Sequence, residues 1–227
     1  MLSQQEIKET ARVIISFAYS YTLNKYGYQN ELPESESAPS LMDAISSLEY
    51  LSHQIQINKS IKPVIQIPIL LRSLTALSRY KEGTHLREEI DRQRLEVRRY
   101  SRCCLDWIQF YGDKQVQTML VNVEYGRLLS ISYSTAGGIG EEHDQETWNV
   151  LGSISRFLRD IHQGRNYRQP SFQPLPLLAR VSLEQIEEEG TIEEIEPQMS
   201  NKGYTGYIKN EANEAKAAIL NCFINWN

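Results

Sequence analysis

A segment with strong helical periodicity, from about Thr84 to Tyr111, constrains the fold more than any other part of the chain. At roughly 100° per residue, its apolar side chains fall within one narrow stripe. The members of this stripe are Leu86, Ile90, Val97, Cys104 and Ile108. A long helix with one apolar stripe buries that stripe against other elements. We therefore expect a protein built mainly of packed helices.

Signals for helix starts recur along the rest of the chain. Ser3 and Glu6 form a capping box, Ser40 with Asp43 predicts the start of a second amphipathic helix, and Pro68 suits the first position of a third. Later helices are predicted to start near Glu146, at Ser182, at Thr191 (with a capping box to Glu194) and at Asn210. These signals predict short helices on both sides of the long one.

Two segments are harder to assign. Residues 114–134 have apolar spacing that fits a helix, whereas Tyr125-Gly126 in mid-segment fits a hairpin, and the spacing favours the helix. Residues 165–181 contain three prolines, which predict extended or looped chain. The fold class is therefore mainly α, an irregular multi-helix bundle of five to seven helices. One small β-hairpin at 114–134 is the alternative.

Net charge is distributed unevenly along the chain. Residues 1–69 carry −2, residues 70–180 carry +3, and residues 181–227 carry −6. An acidic end after a weakly basic middle indicates either pairing within the chain or two faces that meet different partners. We predict a helical core domain of residues 1–180. An acidic segment and a C-terminal helix, residues 181–227, are predicted to pack on it.

Composition limits the class of protein. The 227 residues carry a formal net charge of −5, which excludes a uniformly basic nucleic-acid coat although not a local basic face. The three cysteines, two of them adjacent, do not form a disulfide framework, which favours a reducing compartment. The sequence shows no apolar run long enough to span a membrane and no secretory signal. We expect an intracellular protein, cytoplasmic or nuclear, that does not bind membranes.

Chemical motifs are scarce. The sequence contains no phosphate-binding loop, nucleophile elbow, zinc-binding helix motif or Cys-x-x-Cys pair, and none of its four histidines is paired at metal-ligand spacing. Adjacent Cys103 and Cys104 diverge by about 100° on a helix and are predicted to lie in the core, although Arg102 nearby could activate a thiolate. We predict no catalytic residue, metal or cofactor, and so a non-enzymatic protein. An enzyme whose catalytic groups are dispersed in sequence is the alternative.

Arginines line one flank of the predicted long helix. The members of this row are Arg87, Arg94, Arg98 and Arg102. The row is about 22 Å long and suits a nucleic-acid backbone, because guanidinium groups pair bidentately with phosphate. Arg127, Arg165 and Arg168 could extend this surface. The favoured alternative is a solvated helix face, or pairing with the acidic segment Glu184–Glu196.

Tyrosines are concentrated near the N-terminus, where we predict an interface at Tyr19, Tyr21, Tyr26 and Tyr28. Tyrosine is favoured at interfaces because its rigid amphipathic ring covers area at low entropic cost. The sequence therefore predicts a non-enzymatic helical subunit that binds a protein partner, or itself, in a larger assembly. The alternative is a nucleic-acid-binding subunit, for example a viral nucleoprotein, that uses the arginine-rich helix face.

Overall fold

The computed structural model describes residues 4–25, 39–81, 88–136, 141–201 and 207–224. Within these residues the chain forms α1 (Gln4–Lys25), α2 (Leu41–Asn58), α3 (Lys62–Ile65), α4 (Pro68–Leu77), α5 (Glu88–Tyr111), α6 (Lys114–Asn122), α7 (Tyr125–Ala136), α8 (Glu141–Gln163), α9 (Pro176–Glu188), α10 (Thr191–Gln198) and α11 (Ile208–Ile224). The mainly α fold is thus confirmed, but these eleven helices exceed the predicted five to seven. The described residues contain no hairpin, and their only β pairing is an isolated bridge between Arg165 and Phe172.

The chain divides into two compact units, Met1–Gly112 and Asp113–Asn227. In the second unit, α11 packs on α8 and α9 packs on α6, α7 and α8. The helices of 181–227 therefore share a core with those of 113–180. This grouping divides the chain at a different position from the predicted boundary at residue 180. The prediction of a core domain 1–180 with residues 181–227 packed on it stays a prediction.

In the first unit, four helices form a ring in which each contacts two neighbours. The order around the ring is α1, α2, α5 and α4, and the short α3 contacts α1 and α4. Fully buried side chains from all four helices meet inside, including Ile14, Leu48, Leu51, Leu74, Val97, Cys104, Leu105 and Ile108. This burial is the main stabilising contribution to the unit.

The start of α2 follows the predicted signal. The Asp43 amide donates to the Ser40 hydroxyl at 3.1 Å, and the Ser40 amide donates to the Asp43 carboxylate at 3.0 Å. These two bonds satisfy amide groups that a helix start leaves without intrahelical partners. The helix ends at Lys59, whose φ of 50° lies in the left-handed region. The start of α4 at Pro68 is likewise as predicted.

Residues 114–134 form two helices instead of one helix or a hairpin. The Asp113 carboxylate caps α6 by accepting from the Val116 amide at 3.1 Å. Glu124 then adopts a φ of 59°, which interrupts the helix before α7 begins at Tyr125. The preference for helix was correct, and the break came from a non-glycine residue in a left-handed conformation, which the sequence pattern does not reveal.

The C-terminal helix starts differ from the predicted ones. Pro176 begins α9, so the predicted looped segment 165–181 ends earlier, and Ser182 lies inside the helix. Gly190, with a φ of 66°, is the N-cap of α10, and the Thr191 hydroxyl donates back to the Ile186 carbonyl at 2.9 Å. Asn210 lies inside α11. The proline accounts for the earlier start of α9. Proline suits the first helical position because it lacks an N–H group, and the N–H at that position would have no partner within the helix.

Candidate interaction surface

The outward face of α2 exposes large apolar side chains. Met42 is 53% exposed, Tyr50 38% and Ile57 59%. At roughly 100° per residue these three lie within about 80° of one another around the helix, over a length of about 22 Å. Ser46 and His53 lie between them and are also exposed. We call these five residues the α2 strip.

The charges of α2 are engaged within the first unit. The helix has two carboxylates, of which Asp43 belongs to the capping box and Glu49 accepts a hydrogen bond from the Tyr100 hydroxyl at 2.9 Å. The opposite face of α2 is in the core and comprises Ala44, Ile45, Leu48, Leu51, Ser52 and Ile55. Although Ser46, Glu49 and His53 are also exposed on the outer face, three large apolar side chains are more than the polar outer face of a surface helix normally carries. The outer face of α2 therefore has the character of a contact surface.

An aromatic row on α5 lies beside the α2 strip. It consists of Tyr100, Trp107 and Tyr111, which lie within roughly 40° of one another around the helix. Two bonds place the row against α2, from Tyr100 to Glu49 and from the Tyr111 hydroxyl to the Gln56 carbonyl at 3.5 Å. The Trp107 and Tyr111 rings stack at 5.8 Å, and all three residues are half-buried. The row thus extends the apolar surface sideways from the strip.

Tyr100 acts as a hydrogen-bond donor at this boundary. Burial, the hydrogen bond to Glu49 and the charge of Glu49 raise its pKa above that of an ordinary tyrosine, against the opposing charge of Arg99. The phenol therefore keeps its proton at neutral pH, and the bond that connects α5 to α2 persists.

Two of the four arginines predicted to form a surface row on α5 bond to groups of their own unit. Arg94 is buried and contacts Asp91, with nitrogen and oxygen 3.4 Å apart, so its predicted exposed position is wrong. Arg98 donates to the Tyr80 carbonyl at 3.0 Å, and Arg102 is half-buried. Arg87 lies outside the described residues. Spacing on one helix could not reveal these contacts, because Tyr80 belongs to the turn after α4.

The structure describes two of the four tyrosines predicted to form an interface. Tyr19 is 53% exposed on α1, as an interface residue would be. Tyr21 instead packs edge-on against Tyr80, with ring centroids 4.8 Å apart, and its hydroxyl accepts from the Lys81 amide at 3.4 Å. Tyr26 and Tyr28 lie outside the described residues. A role for these tyrosines in binding stays a prediction.

In the second unit, Arg127 pairs with the acidic segment. It forms ion pairs with Glu124 at 2.7 Å, with Glu188, and with Glu189 at 3.0 Å. The side-chain hydrogen bond to Glu124 is the largest cause that raises the pKa of Arg127. Arg127 thus pairs with the acidic segment Glu184–Glu196, as the alternative to phosphate binding predicts. The ion pairs of Arg127 with Glu188 and Glu189 join α7 to the end of α9.

Arg165 and Arg168 converge on one buried carboxylate. The side chains of Asp160 and Arg165 are wholly buried, with Arg165 Nη1 3.4 Å from Asp160 Oδ2. Arg168 donates to the same oxygen at 2.8 Å, and the Tyr167 hydroxyl donates to Oδ1 at 2.6 Å. Arg165 also donates to the Pro170 carbonyl and lies over the ring of Phe172, 4.5 Å from its centre. We call this group the Asp160 cluster.

The chain after α8 folds back over the Asp160 cluster. Arg165 and Phe172 exchange two backbone hydrogen bonds of 2.7 and 2.9 Å, and the Leu175 amide donates to the Ile161 carbonyl at 2.7 Å. Gly164 allows this return: its φ is 77°, and a Cβ there would lie 2.7 Å from the Phe172 carbonyl oxygen. The segment from Gly164 to Leu175 therefore forms a closed loop against the end of α8.

Of the two adjacent cysteines predicted to lie in the core, only Cys104 does so. Cys104 is fully buried, its thiol lies 3.5 Å from the Leu48 carbonyl, and burial raises its pKa well above the usual value. Cys103 is half-buried, and burial with the charge of Asp106 raises its pKa against the opposing charges of Arg99 and Arg102. Burial outweighs the arginines, so neither thiol is activated as a thiolate.

The α2 strip was not identified from sequence, although a signal for it is present. An 18-residue helix with only two carboxylates, and with Met42, Tyr50 and Ile57 off its core face, has too few charges for an ordinary surface helix.

Across the described ranges, no group of three or more His, Cys, Asp or Glu side chains could hold a metal ion. No helix in the same ranges is long and apolar enough to cross a membrane. The chain matches no protein-family model, and a search of curated proteins found no match.

Proposed function

We propose that the protein acts by binding another protein chain through the α2 strip and the adjoining aromatic row. The observation that carries this proposal is the exposure of Met42, Tyr50 and Ile57 on one face of a helix whose other face is core. Single exposed apolar residues are common on any protein, whereas a row of them along one helix is typical of binding surfaces.

The three exposed apolar side chains of the strip are too few to hold a partner on their own. Burying a whole side chain of this size contributes about 1.5–3 kcal/mol, and the exposed part of each of the three contributes about 1 kcal/mol. Their sum of about 3 kcal/mol is below the cost of association, which is at least about 4 kcal/mol. Stable binding therefore requires further apolar contacts, which the aromatic row or the partner supplies.

The contacts of the arginines support protein binding over the nucleic-acid alternative. Arg94 and Arg98 bond to groups of the first unit, Arg127 pairs with glutamates, and Arg165 and Arg168 share Asp160. A phosphate that took one of these guanidinium groups would have to displace an existing bond. The resulting loss would offset much of the gain from phosphate contact.

Gel filtration of an extract from cells that make the chain tests the proposal. We expect the chain to elute well above 26.3 kDa, and Ile57→Lys to shift it to the monomer position because a charge would be buried in the contact. Ile69→Lys is the matched control, since Ile69 is 54% exposed but lies on α4. Monomeric elution of the unchanged chain, or equal shifts for both variants, would refute the proposal.

A further inference from the structure

We infer that a cleft between α8 and α11 binds a free α-amino acid with an aliphatic side chain. The cleft has a volume of about 230 Å³ and lies within the second unit. The inference concerns a different unit from the α2 strip and goes beyond the proposed function. Three features carry it: the space between the two helices, the unbonded polar side chains around that space, and the opposite charges of its two walls.

Small side chains on α11 create the cleft. Glu214, Ala217 and Ala218 are spaced at i, i+3 and i+4, so they share the face of α11 that lines it. The two alanines carry only methyl groups and leave room beside Leu158, a fully buried residue of α8 that also lines the cleft. The volume equals that of about eight molecules of liquid water, which suits a ligand of about eight to ten non-hydrogen atoms. An aliphatic amino acid such as leucine has this size.

The polar side chains at the cleft are free to bond a ligand. Arg159, His162 and Gln163 line it from α8, and Glu214 lines it from α11. Within the part of the chain that the structure describes, none of these four side chains forms a hydrogen bond or an ion pair. The arginines of the Asp160 cluster, by contrast, are paired with a carboxylate. A ligand in the cleft therefore gains bonds without displacing existing ones.

The two walls of the cleft carry opposite charges. On α8, Arg156 lies one turn before Arg159, and on α11, Glu211 lies one turn before Glu214. Burial and the charge of Glu214 raise the pKa of Glu211. Arg156 and Arg159 oppose this shift from α8, so the charges of the two walls are close enough to interact. Glu214 would repel a simple anion and Arg159 a simple cation, so the walls together favour a ligand that carries both charges.

An α-amino acid carries both charges on one small molecule. The Arg159 guanidinium would pair with its carboxylate, to which the His162 imidazole would also donate. The Glu214 carboxylate would accept from its ammonium group, and its aliphatic side chain would lie against Leu158 and the two alanine methyl groups. Because the ligand is small and the cleft is open to solvent, we expect a dissociation constant on the order of 1 mM.

NMR titration of the purified full-length chain tests the inference with three probes of similar shape. L-Leucine carries both charges, 4-methylpentanoate carries only the carboxylate, and 3-methylbutylamine carries only the ammonium group. We expect leucine to bind about tenfold more tightly than either of the others, or better. Ala217→Leu should abolish the binding of leucine, because the new side chain at this exposed position fills the cleft.

Two variants that each remove one charge distinguish recognition of the ligand from a structural effect. Arg159→Gln should weaken leucine binding about tenfold without weakening the binding of 3-methylbutylamine. Glu214→Gln should weaken leucine binding by a similar factor without weakening the binding of 4-methylpentanoate. Arg180→Gln, on α9, is the matched control and should leave all three affinities unchanged. All three positions are exposed, so circular dichroism should show the same helix content for each variant.

Each result decides the inference. Preferential binding of leucine, lost in both charge variants with the single-charge probes affected as expected, supports it. Leucine that gives no saturable shifts at about 20 mM, roughly twenty times the expected dissociation constant, overturns it. Equal binding of the three probes, a charge variant that binds leucine like the unchanged chain, or one that weakens all three probes alike also overturns it. The α2 strip is tested separately, because the extract experiment changes Ile57 in the other unit.

Discussion

Replacing Asp160 with Ala should destabilise the second unit strongly. The carboxylate is wholly buried and accepts bonds from Tyr167 at 2.6 Å and Arg168 at 2.8 Å, with Arg165 Nη1 3.4 Å away. Its removal leaves the buried guanidinium of Arg165 without its carboxylate, and breaking a buried pair in this way costs about 3–5 kcal/mol. Two other contacts of Arg165, to the Pro170 carbonyl and the Phe172 ring, carry no full negative charge.

Two further variants bracket this magnitude. Tyr167→Phe removes one hydrogen bond to the carboxylate and should cost about 1.5 kcal/mol, at the low end for a bond to a charged group, because the Tyr167 ring is largely exposed. Arg180→Gln breaks only the exposed pair with Glu184 and should cost less than about 0.5 kcal/mol. The expected order of destabilisation is therefore Asp160→Ala, then Tyr167→Phe, then Arg180→Gln.

Urea unfolding followed by tryptophan fluorescence measures these costs in the second unit. In a Trp107→Phe background, the remaining tryptophans, Trp148 and Trp226, both belong to residues 113–227. A loss below about 1 kcal/mol for Asp160→Ala, with an unchanged dependence on urea, would show that this carboxylate does not compensate the charge of Arg165. The reasoning from burial would then be wrong.

Three other predictions follow from packing and charge. Gly126→Ala should lower the free energy of unfolding by about 1–3 kcal/mol, because its Cβ would lie 3.0 Å from the Ser182 carbonyl oxygen. Gly152→Ala should raise it by up to about 1 kcal/mol through helix propensity, since only the end of the Glu211 side chain lies near. Thermal unfolding measures both changes, and changes of the same sign would contradict the argument. Burial and the charge of Glu214 raise the pKa of Glu211, so ionisation of Glu211 lowers the stability of the protein as the pH rises above the unfolded-state pKa of about 4.5. Glu211→Gln should therefore stabilise the protein at pH 7 but not at pH 4. Urea titrations at both pH values measure the difference. Arg98→Gln removes the bond to the carbonyl after α4 and should cost about 1–2 kcal/mol without changing retention on an immobilised oligonucleotide; a salt-dependent loss of retention would favour the nucleic-acid alternative.

Sequence signals that act over a few residues predicted correctly where α2 and α4 begin. The bonds of Ser40 and Asp43 form within four residues, and Pro68 acts through its own ring, so sequence alone located the starts of α2 and α4. The same proline signal is present at Pro176, where two other prolines close by obscured it. Glu124 offers no such signal, because its φ of 59° is a conformation that glutamate rarely adopts.

Contacts between residues far apart in the sequence limited how much of the candidate site could be predicted. Arg127 meets Glu188 and Glu189 more than sixty residues away, and no periodicity indicates which cations a fold will bring to which anions. The face of α2 could have been identified, since its shortage of charge is visible in the sequence. That Asp43 and Glu49 are both engaged within the unit required the structure.

The closed loop from Gly164 to Leu175 has a consequence for how the second unit opens. Although it contains no helix, its amides at Arg165, Phe172 and Leu175 are all bonded to backbone carbonyls of the loop itself or of α8. Their hydrogens should therefore exchange with solvent only when the end of α8 opens together with the Asp160 cluster, as one cooperative segment. In a hydrogen-exchange experiment these three amides would be as slow as those at the end of α8.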